Sequence, residues 1–135
     1  MRKFLKSQVR KLVAGFNIRE GRRAFNEATA LPAGEAEHRR LSGLSMQWLG
    51  KAQRAESKAL KFPEGSKRRI KLEEISSAFK SAHNSMYKIV MAYNTALARA
   101  KTGEQRLELA QNFAQKRQAL ESALSSLLKA AKKPK

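Results

Sequence analysis

The densest group of reactive side chains in this sequence is the cationic run SKRRIK at residues 66–71. Its four cations are Lys67, Arg68, Arg69 and Lys71. Apolar residues recur at heptad spacing after this run, which predicts that it forms the first turns of a long helix. The positive end of the helix dipole makes each cation there unfavourable by about 0.3 to 1 kcal/mol. Free backbone N–H groups beside Lys and Arg favour a phosphate site. The alternative is a solvated first turn that Glu73 and Glu74 partly neutralise.

Further basic residues lie in pairs and short clusters along the rest of the chain. Those that we predict to contact nucleic acid are Arg22, Arg23, Arg39, Arg40, Lys3, Lys6, Arg10, Lys11, Lys132 and Lys133. The segments 1–31, 32–61, 62–101 and 102–135 carry net charges of +6, +3, +5 and +4. Charge that is spread over every segment favours a broad contact with a polyanion over a single recognition helix.

The whole chain has a net charge of +18, because 29 Lys and Arg residues face only 11 acidic residues, all of them Glu. Self-repulsion of this size weakens a compact state, so the composition implies an acidic partner. Nucleic acid is the first candidate, and an anionic membrane surface or an acidic protein comes next. The four basic residues that precede the heptads are too few to track a DNA groove. Recognition of base sequence therefore has little support, and DNA and RNA remain equal candidates.

Groups that could perform catalysis or hold a metal ion do not converge in the sequence. His38 and His83 fall on different predicted helices and lack the spacing of metal ligands. The adjacent carboxylates of Glu73 and Glu74 have cations within helical reach, which favours ordinary ion pairs over acid–base chemistry. The chain has no Cys, and no phosphate loop or nucleophile elbow occurs. We therefore expect no enzymatic activity, no cofactor or metal, and no small-molecule substrate.

Hydrophobic periodicity predicts an all-α fold, an antiparallel bundle of three long helices plus an N-terminal amphipathic helix with coiled-coil-like packing. The predicted helices span residues 2–30, 35–61, 66–101 and 103–131. Breaks are predicted at LPAG (31–34), FPEG (62–65) and TGEQ (102–105), where Thr102 and Gln105 have the spacing of a capping box. One domain at residues 1–131 would then precede a short basic tail at 132–135.

The helix predicted at 66–101 has the most regular apolar pattern in the chain. Its stripe consists of Leu72, Ile75, Phe79, Ala82, Met86, Ile89, Tyr93, Ala96 and Ala100. At about 1.5 Å per residue this helix would be roughly 50 Å long, which requires long helices alongside it. We therefore expect the rest of the chain to be arranged around it. Trp48 and the tyrosines fall on or near apolar stripes, so we expect them in the core and not in base stacking.

The N-terminal helix is predicted to have an apolar face and a basic face. The apolar residues are Phe4, Leu5, Val9, Leu12, Val13 and Phe16. This pattern is typical of a bundle helix with a solvated outer side, of a helix that follows phosphates, or of a helix at a membrane surface. Residues 1–19 contain no acid, which is also typical of an organelle transit peptide. Gly15 and Gly21 each cost a helix about 1 kcal/mol relative to Ala, so we expect a bend or break at 17–21.

Our first hypothesis is a non-enzymatic helical protein of phage, plasmid or bacterial setting that binds nucleic acid through phosphate contacts. A second is a structural, assembly or adaptor protein whose long helices pack against other proteins, or against copies of itself, in a larger particle. A third is a membrane-surface binder that uses residues 1–16. No apolar run approaches the length of about 18 residues that a membrane span needs, and no signal peptide is evident. The expected location is the cytoplasm or the inside of a nucleoprotein particle or virion.

Overall fold

The structure is a computed structural model that describes residues 2–133, with side chains described at Lys6 and from residue 8 onward. Its four α-helices are α1 (Arg2–Glu27), α2 (Ala33–Ala59), α3 (Lys67–Arg99) and α4 (Gly103–Lys132). A short 3-10 turn, Ala28–Ala30, follows α1. The described residues contain no strand, and the four helices pack against one another. The predicted all-helical fold class is therefore confirmed.

The helices begin and end where local chemistry favours it. The connection after α1 includes Pro32, and the connection after α2 includes Pro63 and Gly65, which has a φ of +82° that side-chain-bearing residues rarely adopt. At the start of α4, Thr102 Oγ1 accepts a hydrogen bond of 3.1 Å from the Gln105 backbone N–H. Gln105 Oε1 accepts one of 3.3 Å from the Thr102 N–H, which completes the predicted capping box.

Helices α1 and α2 approach each other backbone to backbone. Small residues recur every seven positions on both helices, and those buried between them are Ala14, Gly21, Ala28, Ala36, Gly43 and Gly50. A Cβ atom on Gly43 would lie 2.7 Å from the Gly21 carbonyl oxygen, and one on Gly50 would lie 2.7 Å from the Ala14 carbonyl oxygen. The pairs Ala14–Gly50 and Gly21–Gly43 follow opposite sequence orders, so these two helices run antiparallel.

The predicted break at residues 17–21 is wrong, because α1 is unbroken from Arg2 to Glu27. Gly21 lies directly against Gly43 and Gln47, where an added Cβ would come within 2.8 Å of both residues. The missing side chain thus permits a close interhelical contact whose packing offsets the low helix propensity of glycine. Helix α2 likewise continues through Gly50, where an added Cβ would lie 2.7 Å from the Ala14 carbonyl oxygen.

Large apolar side chains fill the space between α2, α3 and α4. The buried cluster contains Leu41, Trp48, Ala82, Met86, Val90, Tyr93, Phe113 and Leu124. The Tyr93 and Phe113 rings lie 4.9 Å apart, and the Tyr93 hydroxyl donates a hydrogen bond of 2.7 Å to the Gly34 carbonyl oxygen. The predicted core position of Trp48 is confirmed. The same prediction is wrong for Tyr87, whose ring lies on the exposed side of α3.

Helix α2, and not α3, is the helix that contacts all the others. It packs against α1, α3 and α4, whereas α3 packs against α2 and α4. The expectation that the chain is arranged around residues 66–101 therefore fails in this respect. The reason is that α2 has two usable faces, one of glycine and alanine for α1 and one of larger residues for α3 and α4.

Candidate nucleic-acid interface

At the basic start of α3, one of the four cations, Arg69, is held by neighbouring groups. Arg69 Nε lies 3.1 Å from Glu73 Oε1, and another Arg69 nitrogen donates a 3.4 Å hydrogen bond to the Phe62 carbonyl oxygen. The Arg69 backbone N–H donates to Ser66 Oγ at 3.3 Å, so this hydroxyl caps the helix. An anion at this position would compete with Ser66 and Glu73 for the same donors.

The other cations of this run are more available. The guanidinium carbon of Arg68 lies 5.5 Å from the centroid of the Phe62 ring, while Lys67 is exposed and Lys71 is half-buried. The run therefore combines one arginine held by a carboxylate with three cations outside the ion pairs of the described residues. This arrangement matches the solvated, partly neutralised first turn more closely than a dedicated phosphate site.

Arg23 and Arg39, which belong to two other predicted basic pairs, share the carboxylate of Glu27. Glu27 Oε1 lies 2.9 Å from Arg23 Nε, and Glu27 Oε2 lies 3.7 Å from an Arg39 nitrogen. This exposed group joins α1 to α2 and has a net charge of only +1. A polyanion would have to compete with Glu27 for both arginines, which makes them weaker candidates for phosphate contacts.

Arg40 belongs to a buried ionic group in which Glu37 is 2% exposed. Arg117 donates to both oxygens of Glu37, at 2.8 and 3.2 Å, and Arg40 lies 3.8 Å from the same carboxylate. Burial lowers the pKa of Arg117, but its hydrogen bonds to Glu37 and Glu121 outweigh this effect and leave the pKa raised. The charge of Arg40 thus compensates an acid inside the protein, and its role here is structural.

Another group of cations draws its members from three helices, with α2 between α1 and α4. It consists of Arg22 from α1, Lys51 and Arg54 from α2, and Lys132 from α4, which we call the three-helix cation cluster. None of the four takes part in an ion pair within the residues that the structure describes. Burial lowers the pKa of Lys51, and the positive charges of Arg22, Arg54 and Lys132 lower it further.

Lys51 is the half-buried centre of this cluster. Its Nζ lies 5.8 Å from the centroid of the Phe79 ring on α3, so its stem packs on the core while its charge faces other cations. A second uncompensated pair adjoins the same helices, because Lys11 of α1 lies beside Lys61 after α2. The nearby Lys61 side chain and the positive charge that it carries lower the pKa of Lys11.

Arg22, Lys11 and Lys132 were among the residues predicted to contact nucleic acid, whereas Lys51 and Arg54 were not. The prediction was based on basic residues adjacent in sequence, but this cluster depends on helical spacing. The signal was available, since basic residues recur on one side of α2 at three- and four-residue steps. They are Lys51, Arg54 and Lys58, followed by Lys61 just beyond the helix end.

The remaining predicted residues do not form one site with the cluster. Lys6 and Arg10 are exposed on α1, and Lys133 is exposed just after α4, while the Lys3 side chain lies outside the described residues. Arg22 and Arg23 also line a shallow depression of about 430 Å³ with Arg19, Asn26 and Glu27. The predicted interface is thus divided between ion-paired residues and the cluster around Lys51.

The two imidazoles stay apart. His83 Nδ1 lies 2.8 Å from the Ser45 carbonyl oxygen, so a proton on Nδ1 would link α3 to α2. His38 lies on α2, where its backbone carbonyl accepts a 2.8 Å hydrogen bond from Ser42 Oγ. Within residues 2–133, no group of three or more potential ligands is placed to hold a metal ion.

Comparison with known protein families, with curated proteins and with solved structures finds no match for this chain. Among the described helices, none combines the length and the apolar character that a membrane span requires. The function of this protein is therefore inferred from the arrangement of its charged and apolar side chains.

Proposed function

We propose that this protein binds nucleic acid through its phosphates, with little base specificity and without catalysing a reaction. The observation that carries the proposal is the three-helix cation cluster, in which Lys51 is half-buried among Arg22, Arg54 and Lys132, and no ion pair between described residues involves any of the four. Like charges held together by three helices raise the local positive potential, which a polyanion relieves. The phosphate backbone is the polyanion that supplies several charges at once.

The shape of the basic surface supports a backbone contact. Lys51 and Lys58 are separated by two helical turns, or about 10 Å along α2. A nucleic-acid duplex carries one negative charge for about every 1.7 Å of its axis, so a stripe of this length faces several phosphates. Lys61 and Lys11 extend the surface beyond the end of α2.

Little in this region favours the reading of bases. The amides of Asn17 and Gln53, which could contact base edges, hydrogen bond to each other across α1 and α2 at 2.9 Å. Trp48 is buried and is therefore withdrawn from base stacking. Contacts from flexible Lys and Arg side chains to phosphates fix position along a strand but carry no sequence information.

The proposal includes the finer architecture. We interpret the four helices as an antiparallel bundle with coiled-coil-like packing. The support between α2 and α3 is that Ser45 contacts His83 while Ser76, earlier in α3, bonds to Ala52, later in α2. An antiparallel bundle of this kind places α1 and α4 beside α2 and lets Arg22 and Lys132 reach Lys51.

Fluorescence anisotropy with labelled duplex DNA, single-stranded DNA and RNA tests the proposal. We expect binding to at least one of these, with similar affinity for unrelated sequences. The variant Arg22→Gln/Lys51→Gln/Arg54→Gln should bind at least about tenfold more weakly, because three phosphate contacts are lost. The matched control is Arg23→Gln/Arg39→Gln, which removes two cations that already share Glu27.

We expect the control to lose only a few-fold in affinity, in proportion to the general reduction in charge. Far-ultraviolet circular dichroism confirms that both variants remain helical before their affinities are compared. Absence of binding at low salt, or an equal loss in the control and the cluster variant, would contradict the proposed interface.

A further inference from the structure

The outer side of α1 presents large apolar side chains to solvent. Val9, Leu12, Val13 and Phe16 are between 43% and 71% exposed, and we call them the outer apolar stripe. They recur at three- and four-residue steps, so they share one side of the helix. The opposite side of α1 is the one that packs on α2, through small residues such as Ala14 and Gly21.

This orientation follows from the close approach of α1 and α2. The glycine contacts leave no room for a leucine or phenylalanine between the two backbones. The large apolar residues of α1 must therefore lie on the side away from α2. The sequence was compatible with a bundle helix, a helix that follows phosphates or a helix at a membrane surface. Burial of this apolar face inside the bundle is excluded, because the outer apolar stripe is exposed.

The charges around the outer apolar stripe are mostly positive, and Glu20, four positions after Phe16 on the same side of the helix, is the exception. Residues 1–19 contain six basic residues and no acidic ones. Lys6 precedes Val9 by three positions and Arg19 follows Phe16 by three, so helical spacing places a cation near each end of the stripe. Both are exposed, and neither takes part in an ion pair among the described residues.

This charge distribution selects the occupant. A second copy of the chain would bring two predominantly cationic segments together, with Glu20 as the one carboxylate within a helical turn of the stripe in each copy. The stripe forms a convex ridge on one helix, and none of its four residues lines the surface depressions at residues 19–27 and 96–112, although Arg19 lines the first of them. A convex apolar ridge between cations fits a deformable apolar layer with an anionic surface.

We propose that the outer side of α1 binds the surface of an anionic lipid bilayer. The outer apolar stripe enters the boundary between headgroups and acyl chains, while Lys6 and Arg19 contact lipid phosphates at its two ends. This surface shares no residue with the three-helix cation cluster, although Arg19 and Arg22 line the same depression, and it does not depend on nucleic-acid binding. An acidic protein that covers the same stripe is the competing outcome.

Sedimentation with lipid vesicles tests this inference on the full chain. We expect the protein to sediment at physiological ionic strength with phosphatidylcholine vesicles that contain phosphatidylglycerol, and not with phosphatidylcholine alone. Leu12→Ser/Phe16→Ser should weaken binding at least about tenfold, since each substitution removes a large apolar group from the lipid contact. The matched control is Leu107→Ser/Leu127→Ser on α4, where the leucines are 47% and 54% exposed.

The control should bind vesicles like the wild type, because it also replaces two large, exposed apolar residues with Ser and retains the net charge, but on α4. Affinity for DNA should be the same in the stripe variant and the wild type, which separates this test from that of the proposed function. Equal vesicle binding by the stripe variant would overturn the inference, since attraction by charge alone would then suffice. Absence of wild-type binding to the anionic vesicles would overturn it too, as would stripe-dependent dimers that form without lipid.

Discussion

The two sides of α2 are packed in different ways. On the α1 side, glycines and alanines allow backbone-to-backbone contact, as between Gly21 and Gly43. On the side of α3 and α4, the contact is made by large side chains such as Leu41, Trp48 and Tyr93. The first interface depends on the absence of side-chain atoms, and the second depends on their burial.

The largest effect should come from the buried ion pair on the α4 side. Glu37→Gln keeps the shape but leaves Arg117 without its principal carboxylate, and we expect the free energy of unfolding to fall by about 3 kcal/mol. Glu35→Gln is the matched control, because Glu35 pairs with Arg106 at 3.4 Å on the surface. The control should change the free energy by at most about 1 kcal/mol. Urea unfolding measures both, and equal effects would contradict the structural role of Glu37.

The contact between α1 and α2 can be disturbed by one methyl group. Gly43→Ala would place a Cβ atom 2.7 Å from the Gly21 carbonyl oxygen, so we expect a loss of about 1 to 3 kcal/mol in the free energy of unfolding. The same substitution at Gly15, where nothing lies within 4 Å of the added atom, tests the effect of helix propensity without an interhelical contact. Gly15→Ala should stabilise the protein by up to about 1 kcal/mol.

Opposite signs for these two glycine variants, measured by thermal or urea unfolding, would confirm that α1 rests directly on the α2 backbone. A stabilising effect of both substitutions would mean that the helices are further apart than described. The comparison is informative because the intrinsic helix propensity changes by the same amount in each variant.

A smaller effect distinguishes the buried tyrosine from the exposed one. Burial, and then the charges of Glu37 and Glu35, raise the pKa of Tyr93 to about 12. The unfolded chain ionises this tyrosine at about pH 10. The stabilisation from the neutral phenol is therefore complete below about pH 10 and is lost as the pH rises toward about 12.

Tyr87→Phe leaves Tyr93 as the one remaining phenol, because the chain has two tyrosines. Ultraviolet absorbance of this variant should show phenolate forming with a midpoint of about 12. Tyr93→Phe should remove the late-forming signal. A midpoint of about 10 in the folded Tyr87→Phe protein would contradict the burial of the Tyr93 hydroxyl.

Much of the helical fold could be predicted from local signals. Proline, glycine and capping residues mark the helix ends, and the residue pattern at Thr102 and Gln105 gave the capping box. The packing of α1 could not be predicted in the same way. Periodicity shows that a helix has two faces, but the glycine contacts made the face with smaller residues the buried one. The break expected near Gly21 failed for the same reason, since helix propensity ignores the partner helix.

The candidate site was predictable only in part. Clusters of basic residues in the sequence indicated Arg22 and the start of α3. The ion pairs that neutralise buried charges could not be predicted, because their partners are far apart in the sequence. Arg117 and Glu37 are 80 positions apart, and Lys132 approaches Lys51 from another helix. The steps between Lys51, Arg54 and Lys58 could have identified the basic side of α2. Their convergence with α1 and α4 required the tertiary fold.

The most direct test of the proposed function is the salt dependence of nucleic-acid affinity for the wild type and for Arg22→Gln/Lys51→Gln/Arg54→Gln. Each phosphate contact contributes about −0.9 to the slope of log affinity against log salt for duplex DNA. We predict a steep wild-type slope, of about −4 to −8, that becomes shallower by about 3 in the variant. An unchanged slope would contradict the account, because the three-helix cation cluster would then make no phosphate contacts.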